Sequence, residues 1–388
     1  MTQIPPPPVR TDGSNAFARR SMAERVPGIL DDTIERNPDY PQRIRDALRD
    51  LSEQIAGDEP LRPIRPPAPD LDLWRRRFAP HEGDTWLDAD WFFAETLAYR
   101  LVLEACDYWT TRRDPFAPFK QEELSSDALW ATLEAALDAA DAAGSRDEKL
   151  GGLLTAALWG NRMDRSVARS REQGTAASDE HLLANDLPGA TRHLLAGEPG
   201  EVHVIMDNAG TEQVLDFALT DALLDTEAVR SVVLHVKMQP VLVSDAIGAD
   251  VEKALQAMEQ RSDEVAALAH RLREYAGCGR LGIVPDFFWS TDGSLRELPP
   301  RLYDAMQGAR LVISKGDANY RRITNDALWP PDAAFTDAAQ GLPVPLLALR
   351  TLKSDTLVGV GGEQRARLDE EHSDWRTSGT YGVAQFAE

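Results

Sequence analysis

Hydrophobic residues recur with different periods in the two halves of the chain. Between Asn15 and about Asp186, apolar residues lie three and four positions apart, which is the period of one face of an α-helix. The segments with this period are FARRSMAERVPGIL, YPQRIRDALRDLSEQIA, DWFFAETLAYRLVLEACDYW and DALWATLEAALDAADAAG. The pattern predicts a helical N-terminal region whose proline-rich stretches, PLRPIRPPAPDLD and WTTRRDPFAPFK, are surface connections.

From Gly200 onward, short β-branched apolar runs alternate with helical segments. The predicted strands are EVHVIMD, VRSVVLHVKM, LGIVPDFF, ARLVISKGD and PLLALRTLK. Strands separated by crossover-length connections are typical of a parallel sheet covered by helices. We therefore predict an α/β fold, in which a helical region of residues 1–190 packs on a three-layer α/β/α sandwich of residues 191–388 with a mainly parallel sheet. The polar tail after Gly361 is open to two interpretations, a closing lid or a frayed end.

Composition narrows the class of protein. The 388 residues carry a net charge of −22, and a field of that sign opposes contact with nucleic acid or an anionic membrane. Two cysteines, Cys106 and Cys278, are too few for a disulfide framework and indicate a reducing compartment. Because no apolar run approaches the length of a membrane span, we expect a cytoplasmic protein. The sequence does not indicate an oligomeric state.

Polar side chains follow two of the predicted strands where each strand ends. Asp207 and Asn208 come directly after the first strand, and Asp245 follows the second. In an open α/β sheet, ligands bind outside the carboxyl ends of the strands. Two carboxylates and one amide oxygen suit a hard ion such as Mg²⁺ or Mn²⁺. Each residue taken alone is more typical of a helix cap or a turn, and their shared position at one sheet edge is what favours a metal site.

Cations follow two other strands, and they suggest the ligand that the metal would bind. Lys315, Arg321, Arg350 and Lys353 would neutralise a phosphate that bridges to the metal. Taken alone, Lys315-Gly316-Asp317 is more typical of an ordinary turn and Lys353 of an exposed strand end. Gly210 allows a tight turn into a helix near Thr211, whose free N–H groups also favour an anion. The P-loop and G-x-G-x-x-G motifs are missing, so neither nucleotide-binding turn is supported. His203 and His235 lie inside predicted strands and are expected to be core or edge histidines.

Several segments together resemble a known family. They are DNAGTE at 207–212, HVKMQPVLVSD at 235–245, SKGDANYRR at 314–322 and RTLK at 350–353, preceded by MAERVPGIL, WFFAETLAYR, DPFAPFK and LWGNRMDRS. This set resembles the damage-control phosphatases, formerly domain of unknown function 89, and especially the sugar-phosphate phosphatase branch with an R-T-x-K motif. That branch includes the protein-glutamate O-methyltransferase-like members. The resemblance extends from about residue 14 to 360.

The resemblance implies roles for individual residues. A helical region joined to an α/β/α sandwich is the family fold, and Asp207, Asn208 and Asp245 would bind Mn²⁺, Ni²⁺, Co²⁺ or Mg²⁺. Residues 317–321 and Lys353 would bind the phosphate and the sugar of the substrate. Arg25 and Glu212 match positions that have been proposed in the family to contact S-adenosylmethionine. The predicted substrate-binding residues are Glu95, Arg100, Asn161, Asp164, Lys315, Asp317, Asn319, Tyr320, Arg321 and Arg350. For Glu95, Arg100, Asn161 and Asp164, hydrogen bonds between helices of the N-terminal region are an equal alternative.

The leading hypothesis is a divalent-metal-dependent phosphatase. Its substrate would be a small phosphorylated metabolite, either a sugar phosphate of the fructose 1-phosphate or fructose 6-phosphate type or a damaged phosphometabolite. Asp207, Asn208, Asp245 and Lys353 would be the catalytic group, with attack by an activated water favoured over attack by Asp207. Two alternatives stay open, an S-adenosylmethionine-dependent carboxyl methyltransferase and a non-catalytic protein that binds a metal and a phosphosugar.

Overall fold

The protein is built around one twisted sheet, seen in a computed structural model that describes residues 4–160 and 180–388. The strands are β1 (Leu182–Asn185), β2 (Gly200–Ile205), β3 (Val229–Lys237), β4 (Leu281–Asp286), β5 (Leu311–Lys315), β6 (Leu346–Thr351) and β7 (Gly382–Ala387). Their order across the sheet is β1-β7-β6-β5-β2-β3-β4. Neighbouring strands are parallel except for β6 and β7, which are antiparallel. The mainly parallel sheet predicted from the sequence is therefore confirmed.

Helices surround the sheet and form the region that precedes it. The first nine are α1 (Ala16–Arg20), α2 (Val26–Arg36), α3 (Gln42–Ala56), α4 (Leu71–Phe78), α5 (Trp91–Ala105), α6 (Tyr108–Thr111), α7 (Ala117–Leu124), α8 (Asp127–Asp141) and α9 (Arg146–Trp159). The helices described after residue 180 are α10 (Leu187–Leu195), α11 (Thr211–Asp225), α12 (Gly248–Met258), α13 (Asp263–Gly277), α14 (Pro300–Met306), α15 (Gly316–Thr324), α16 (Phe335–Ala338) and α17 (Gly362–Glu371). A π-helical segment, Ser21–Arg25, joins α1 to α2.

Each face of the sheet buries its own apolar core. On one face, α8 to α13 pack on the strands around residues such as Val204, Phe217 and Leu234. On the other face, α14 to α17 and the connecting segments pack around Trp289, Tyr320 and Trp375. The inner strands β5 and β6 are buried along their whole length, which explains their nearly continuous apolar runs, whereas the edge strand β4 is exposed at its centre. The three-layer α/β/α arrangement is as predicted.

The N-terminal helices have a third core of their own. It is centred on α5, whose residues from Trp91 to Leu103 are all buried. A helix that is buried on every side must be surrounded by other elements, and here α2, α3 and α4 surround it. Val241, from the connection between β3 and α12, is buried in the same core. The helical region therefore packs against the sheet at the edge where β3 ends.

Two strands were not predicted from the sequence. β1 lies before residue 190, and its four residues are too short for a recognisable period. β7 lies in the polar tail, where it pairs with β1 on one side and β6 on the other. The tail after Gly361 thus ends in a strand of the sheet. Neither of the two interpretations drawn from the sequence, a closing lid or a frayed end, fits this pairing. Within the described ranges, no helix combines the length and the apolar character needed to cross a membrane.

Candidate functional site

The carboxyl ends of four central strands meet at one edge of the sheet. β2 lies between β5 and β3, and β6 lies beside β5, all in parallel orientation. The residues that follow these strands include Asp207, Asp245, Asp317 and Lys353, so the topology brings them to the same edge. The strand order therefore places the ends of these four strands side by side, as the sequence predicts.

The turn after β2 forms main-chain hydrogen bonds with the connection that carries Asp245. Ala209 N donates to Ser244 O at 2.7 Å, and Ala246 N donates to Asp207 O at 2.8 Å. Gly210 has φ +84°, and a Cβ there would overlap the carboxylate of Glu123. Only glycine combines this left-handed backbone with such a close approach. The two oxygen-bearing segments are thus fixed relative to each other by their main chains.

Three oxygen-bearing side chains converge at this turn. Asp207 and Asp245 are buried, and Asp207 Oδ1 accepts no hydrogen bond from any described residue. The Asn208 amide donates to Asp207 Oδ2 and to Glu212 Oε2, each at 3.0 Å, and Ser244 Oγ donates to Asn208 Oδ1 at 2.6 Å. Across residues 4–160 and 180–388, no three acidic, histidine or cysteine side chains form a metal cage. The candidate set is instead two carboxylates with one amide, and its orphaned buried oxygen fits a hard cation.

Lys237 is the buried cation nearest to these carboxylates. Its Nζ lies 3.1 Å from Asp245 Oδ2 and 3.8 Å from Asp207 Oδ1, and it donates to Met206 O at 2.5 Å. Burial, together with the negative charges of Glu212 and Asp245, nevertheless raises the pKa of Asp207 well above its ordinary value. Burial also raises the pKa of Asp245 against the effect of Lys237. Lys237 and the other nearby cations do not fully offset the burial of these acids, which is the electrostatic condition that favours binding of a divalent cation.

Helix α15 begins directly against Asp207. Gly316 has φ +81°, and a Cβ at this position would overlap Asp207 Oδ2. The first turn of a helix carries free N–H groups and a partial positive charge. The site therefore has an anion-favouring helix terminus on the side opposite β3.

Asp317, the next residue, ties α15 to the segment after β6. Its carboxylate accepts hydrogen bonds from Arg350 Nε at 2.8 Å, Lys353 N at 3.0 Å and Ser354 Oγ at 3.1 Å. Burial alone would raise the pKa of Asp317, but the charges of Arg350 and Arg321 and these hydrogen bonds lower it. Asp317 therefore stays ionised, and its carboxylate fixes the position of the Lys353 main chain by accepting a hydrogen bond from Lys353 N.

The predicted phosphate-binding cations differ in accessibility. Lys315 is fully buried and pairs with Glu212 at 3.1 Å and Asp216 at 2.8 Å. Arg350 is also fully buried and donates to Ser354 O at 2.8 Å as well as to Asp317. Lys353, by contrast, is only partly buried.

Arg321 is the third buried cation. Its guanidinium donates to Glu95 Oε2 and to Asp326 Oδ1, each at 2.6 Å, and stacks 3.8 Å from the Trp91 ring centroid. These contacts join α15 to the helical N-terminal region. The accessible positive charge among the four predicted cations is thus at Lys353.

Arg25 adds a second accessible cation from the helical region. It is the last residue of the π-helical segment, and its side chain is 57% exposed with Nη1 3.7 Å from Glu95 Oε1. Single π-helical turns often occur at functional sites. Glu95 lies between Arg25 and Arg321, so these three predicted residues are brought together.

Other predicted residues act on the framework around the site. Asn319 donates to Met206 O at 3.1 Å, and Tyr320 donates to Gln385 Oε1 at 2.8 Å. Arg100 forms two hydrogen bonds with Asp70, both at 2.7 Å. Glu212, one of the two positions matched to a methyl donor, is buried and bonded to Asn208 and Lys315. Asn161 and Asp164 lie outside the described residues.

The start of α11 differs from the sequence prediction. Thr211 N donates to Glu123 Oε1 at 2.7 Å, so a carboxylate of α7 already occupies the helix terminus that we expected to bind an anion. The expectation was wrong because a side chain 88 positions away caps the helix, and no local pattern shows such a contact. The start of α15, beside Asp207, is the helix terminus that faces the site.

Two further residues beside the site were not predicted from the sequence. Lys237 lies at the end of the predicted strand VRSVVLHVKM, and that position was a usable signal. Lys120 lies in the motif DPFAPFK, which was noted without a role. Its Nζ donates to Asp245 O at 2.9 Å. His203 and His235 are buried, as expected.

Comparison with known proteins identifies the family of this chain. The family model described as the damage-control phosphatase ARMT1-like domain matches residues 21–368. Curated relatives include the damage-control phosphatase ARMT1 of Xenopus tropicalis, 28% identical over 97% of this chain and 97% of the relative. The protein of the same name from Danio rerio is 26% identical over 99% of this chain and 97% of its own length. The one from Homo sapiens is also 26% identical, over 96% of this chain and 96% of its own length.

The fold is also found in a solved structure. The crystal structure of a DUF89 family protein from Pyrococcus horikoshii aligns with a TM-score of 0.50 and 14% identity, covering 96% of this chain and 99% of that one. At this identity the likeness concerns the fold alone. The family match covers most of the sequence, including every strand from β1 to β6. The chain therefore belongs to the damage-control phosphatase ARMT1-like family.

Proposed function

We propose that this protein is a divalent-metal-dependent phosphatase. Its substrates would be small sugar phosphates of the fructose 1-phosphate or fructose 6-phosphate type, or damaged phosphometabolites. Membership in a damage-control phosphatase family supports the reaction class. The observation that carries the metal dependence is the buried, unsatisfied Asp207 Oδ1 beside Asn208 and Asp245.

Asp207, Asn208 and Asp245 would hold the ion, with Mn²⁺, Ni²⁺, Co²⁺ and Mg²⁺ as candidates. When bound, such an ion polarises a phosphoryl oxygen and lowers the pKa of a coordinated water. Ser244 and Glu212 orient the Asn208 amide through its oxygen and nitrogen, so that the amide group keeps one rotamer. We favour water over Asp207 as the nucleophile, because Asp207 is already assigned to the metal.

The phosphate would be neutralised by accessible cations. Lys353 is partly buried, and its charge acts on Asp207. Arg25 is exposed beside Glu95 and would contact the phosphate or the sugar. The remaining predicted substrate-binding side chains, buried in ion pairs and hydrogen bonds, would orient these groups. They include Glu95, Arg100, Lys315, Asp317, Asn319, Tyr320, Arg321 and Arg350.

Phosphate release from a panel of sugar phosphates tests the proposal. The purified protein is assayed with each of the four ions and with EDTA, and Asp207→Asn is the site variant. We expect release with at least one ion, none with EDTA, and a loss of activity of about 100-fold or more in Asp207→Asn.

Lys253→Met, on the exposed surface of α12, is the control and is expected to retain activity. Methyl transfer from S-adenosylmethionine is measured in parallel. Methyl transfer without phosphate release, or no turnover with any ion, would contradict the proposal.

A further inference from the structure

The connection from β3 to α12 carries Asp245 and is attached to the helical N-terminal region at several points. We call residues 238–247 the Asp245 loop. Its main chain pairs with the Asp207 turn on one side. On the other side it contacts α5, α7 and the residues before α4. A loop held from two sides has its conformation imposed by its neighbours.

Lys120, on α7, is the central attachment. Its side chain is 6% exposed, and Nζ donates to Asp250 Oδ2 at 2.6 Å and to the main-chain oxygen of Asp245 at 2.9 Å. Nζ also lies 3.1 Å from Asp114 Oδ2. Asp250 Oδ2 in turn accepts a hydrogen bond from Ile247 N at 3.1 Å. Two acids and one carbonyl thus surround a single ammonium group, which joins the helical region to Asp245 and, through Asp250, to the C-terminal end of the Asp245 loop.

The backbone of the loop is strained next to Asp245. Leu242 has φ +50° and Val243 has φ +67°, in the left-handed region that is uncommon for residues other than glycine and most unfavourable for a β-branched residue such as Val243. Both side chains pack against the core of the helical region, beside the buried Val241. Strain of this kind persists only where surrounding packing imposes it, and it concentrates at functional sites. The apolar contacts therefore hold the loop in a shape that its own residues disfavour.

A third attachment lies earlier in the loop. Gln239 Nε2 donates to Asp70 Oδ2 at 3.0 Å. The same carboxylate forms the buried ion pair with Arg100 and accepts from Trp74 Nε1 at 3.0 Å. Asp70 is therefore fixed by the helical region before it contacts the loop. Arg100, predicted to lie in or beside the site, reaches the Asp245 loop through this chain.

From these contacts we propose that Lys120 is a positioning residue for the metal site, which holds Asp245 against Asp207 and Asn208 by anchoring the Asp245 loop to the helical region. The inference rests on the proposed function in one respect, that Asp245 is a metal ligand. The helical region, by this account, determines the affinity for the ion without contributing a ligand to it.

The test compares Lys120→Met with wild type by calorimetric titration of the metal-free protein with Mn²⁺. Methionine keeps the aliphatic stem and removes the ammonium group, so we expect the dissociation constant to rise about 10- to 100-fold, as for other groups that orient metal ligands. Activity should return towards the wild-type kcat at saturating Mn²⁺, a recovery that general damage to the fold would not give. Lys253→Met, an exposed lysine on α12, is the matched control and should leave the dissociation constant unchanged.

A second variant covers the case in which Lys120→Met does not fold, since that change leaves Asp114 and Asp250 buried without their cation. Val243→Gly removes an apolar anchor at a left-handed position that glycine adopts freely. We expect weaker Mn²⁺ binding, by about tenfold. Asn325→Gly, at φ +57° after α15, is its control and should bind Mn²⁺ as wild type does.

The outcomes separate the two proposals. Unchanged Mn²⁺ affinity in a folded variant, with wild type binding the ion, overturns the positioning role of Lys120. Failure of wild type to bind Mn²⁺ overturns it as well, because Asp245 would then have no ligand role to support. Mn²⁺ binding without phosphate release from any substrate contradicts the proposed phosphatase activity, while the affinities still decide the role of Lys120.

Discussion

At the scale of single residues, the site depends on close approaches that only small side chains permit. Gly316 lets α15 begin in contact with the Asp207 carboxylate, and Gly210 lets the Asp207 turn pass over Glu123. Both glycines have positive φ, and at both there is no space for a Cβ atom. Each of these conditions alone favours glycine at the two positions. Gly316 therefore determines how near the start of α15 comes to Asp207, a proposed metal ligand, and Gly210 determines how near the start of α11 comes to Glu123.

Gly316→Ala is therefore expected to abolish activity and to destabilise the protein by more than the usual cost of alanine at positive φ, about 1–2 kcal/mol. The added methyl group would displace the Asp207 side chain. Gly308→Ala is the matched control, since Gly308 has φ +83° and no described atom lies within 4 Å of its Cβ position. Urea unfolding and kcat/KM of both variants are compared. Equal activities in the two variants would contradict the contact with Asp207.

At the scale of elements, the adjacent strands β2 and β3 bury a histidine pair below the site. His203 Nδ1 lies 2.8 Å from His235 Nε2, and His203 Nε2 lies 3.0 Å from Glu201 Oε1. Burial lowers the pKa of His203 despite Glu201, and burial together with His203 lowers the pKa of His235 to about 3. Both imidazoles therefore remain neutral where an unfolded chain would protonate them.

The sign of the resulting pH dependence follows from proton binding. Below an ordinary histidine pKa of 6.5, the unfolded chain takes up protons that the folded strands exclude, so the free energy of unfolding falls as pH falls towards 3. We expect His235→Gln to reduce this slope by up to about 1.4 kcal/mol per pH unit. Urea unfolding between pH 7.5 and 5 measures it, with the exposed His270→Gln as control. A slope identical to wild type would show that His235 does not contribute.

At the scale of the whole molecule, the proposed metal binding would be coupled to folding. The proposed ligands come from loops after two strands, and the helical region contacts one of these loops through Lys120. An unfolded chain cannot bring these residues together, so the ion would bind the folded state preferentially. Sheet and helical region would therefore gain stability together when the ion binds.

We expect Mn²⁺ at 100 times its dissociation constant to stabilise the protein by about 2.7 kcal/mol, and EDTA to remove the gain. Thermal unfolding at increasing Mn²⁺ concentration measures the effect. Asp245→Asn is the comparison, because it keeps the size of the side chain and weakens the ligand. Identical melting temperatures with Mn²⁺ and with EDTA would mean that the folded protein has no site for this ion.

The sequence alone was sufficient for the class of fold and for the oxygen-rich turn. Apolar periodicity is local, and it identified the helical half, five strands and the positions where they end. Asp207, Asn208 and Asp245 could be selected because parallel strands place their carboxyl ends at one edge. β1 and β7 were missed because a four-residue strand and a tail containing Gln385 have no clear period before they pair.

Only the tertiary structure decided which charges reach the site. Lys315 and Lys353 have the same chemistry in the sequence, yet Lys315 is buried against Glu212 and Asp216 whereas Lys353 remains partly exposed. Glu123 closes the helix terminus at Thr211, and Lys120 anchors the Asp245 loop. Each of these contacts joins residues roughly 90 or more positions apart in the chain. Contacts at that separation form only when the layers of the fold pack together, so no local sequence pattern predicts them.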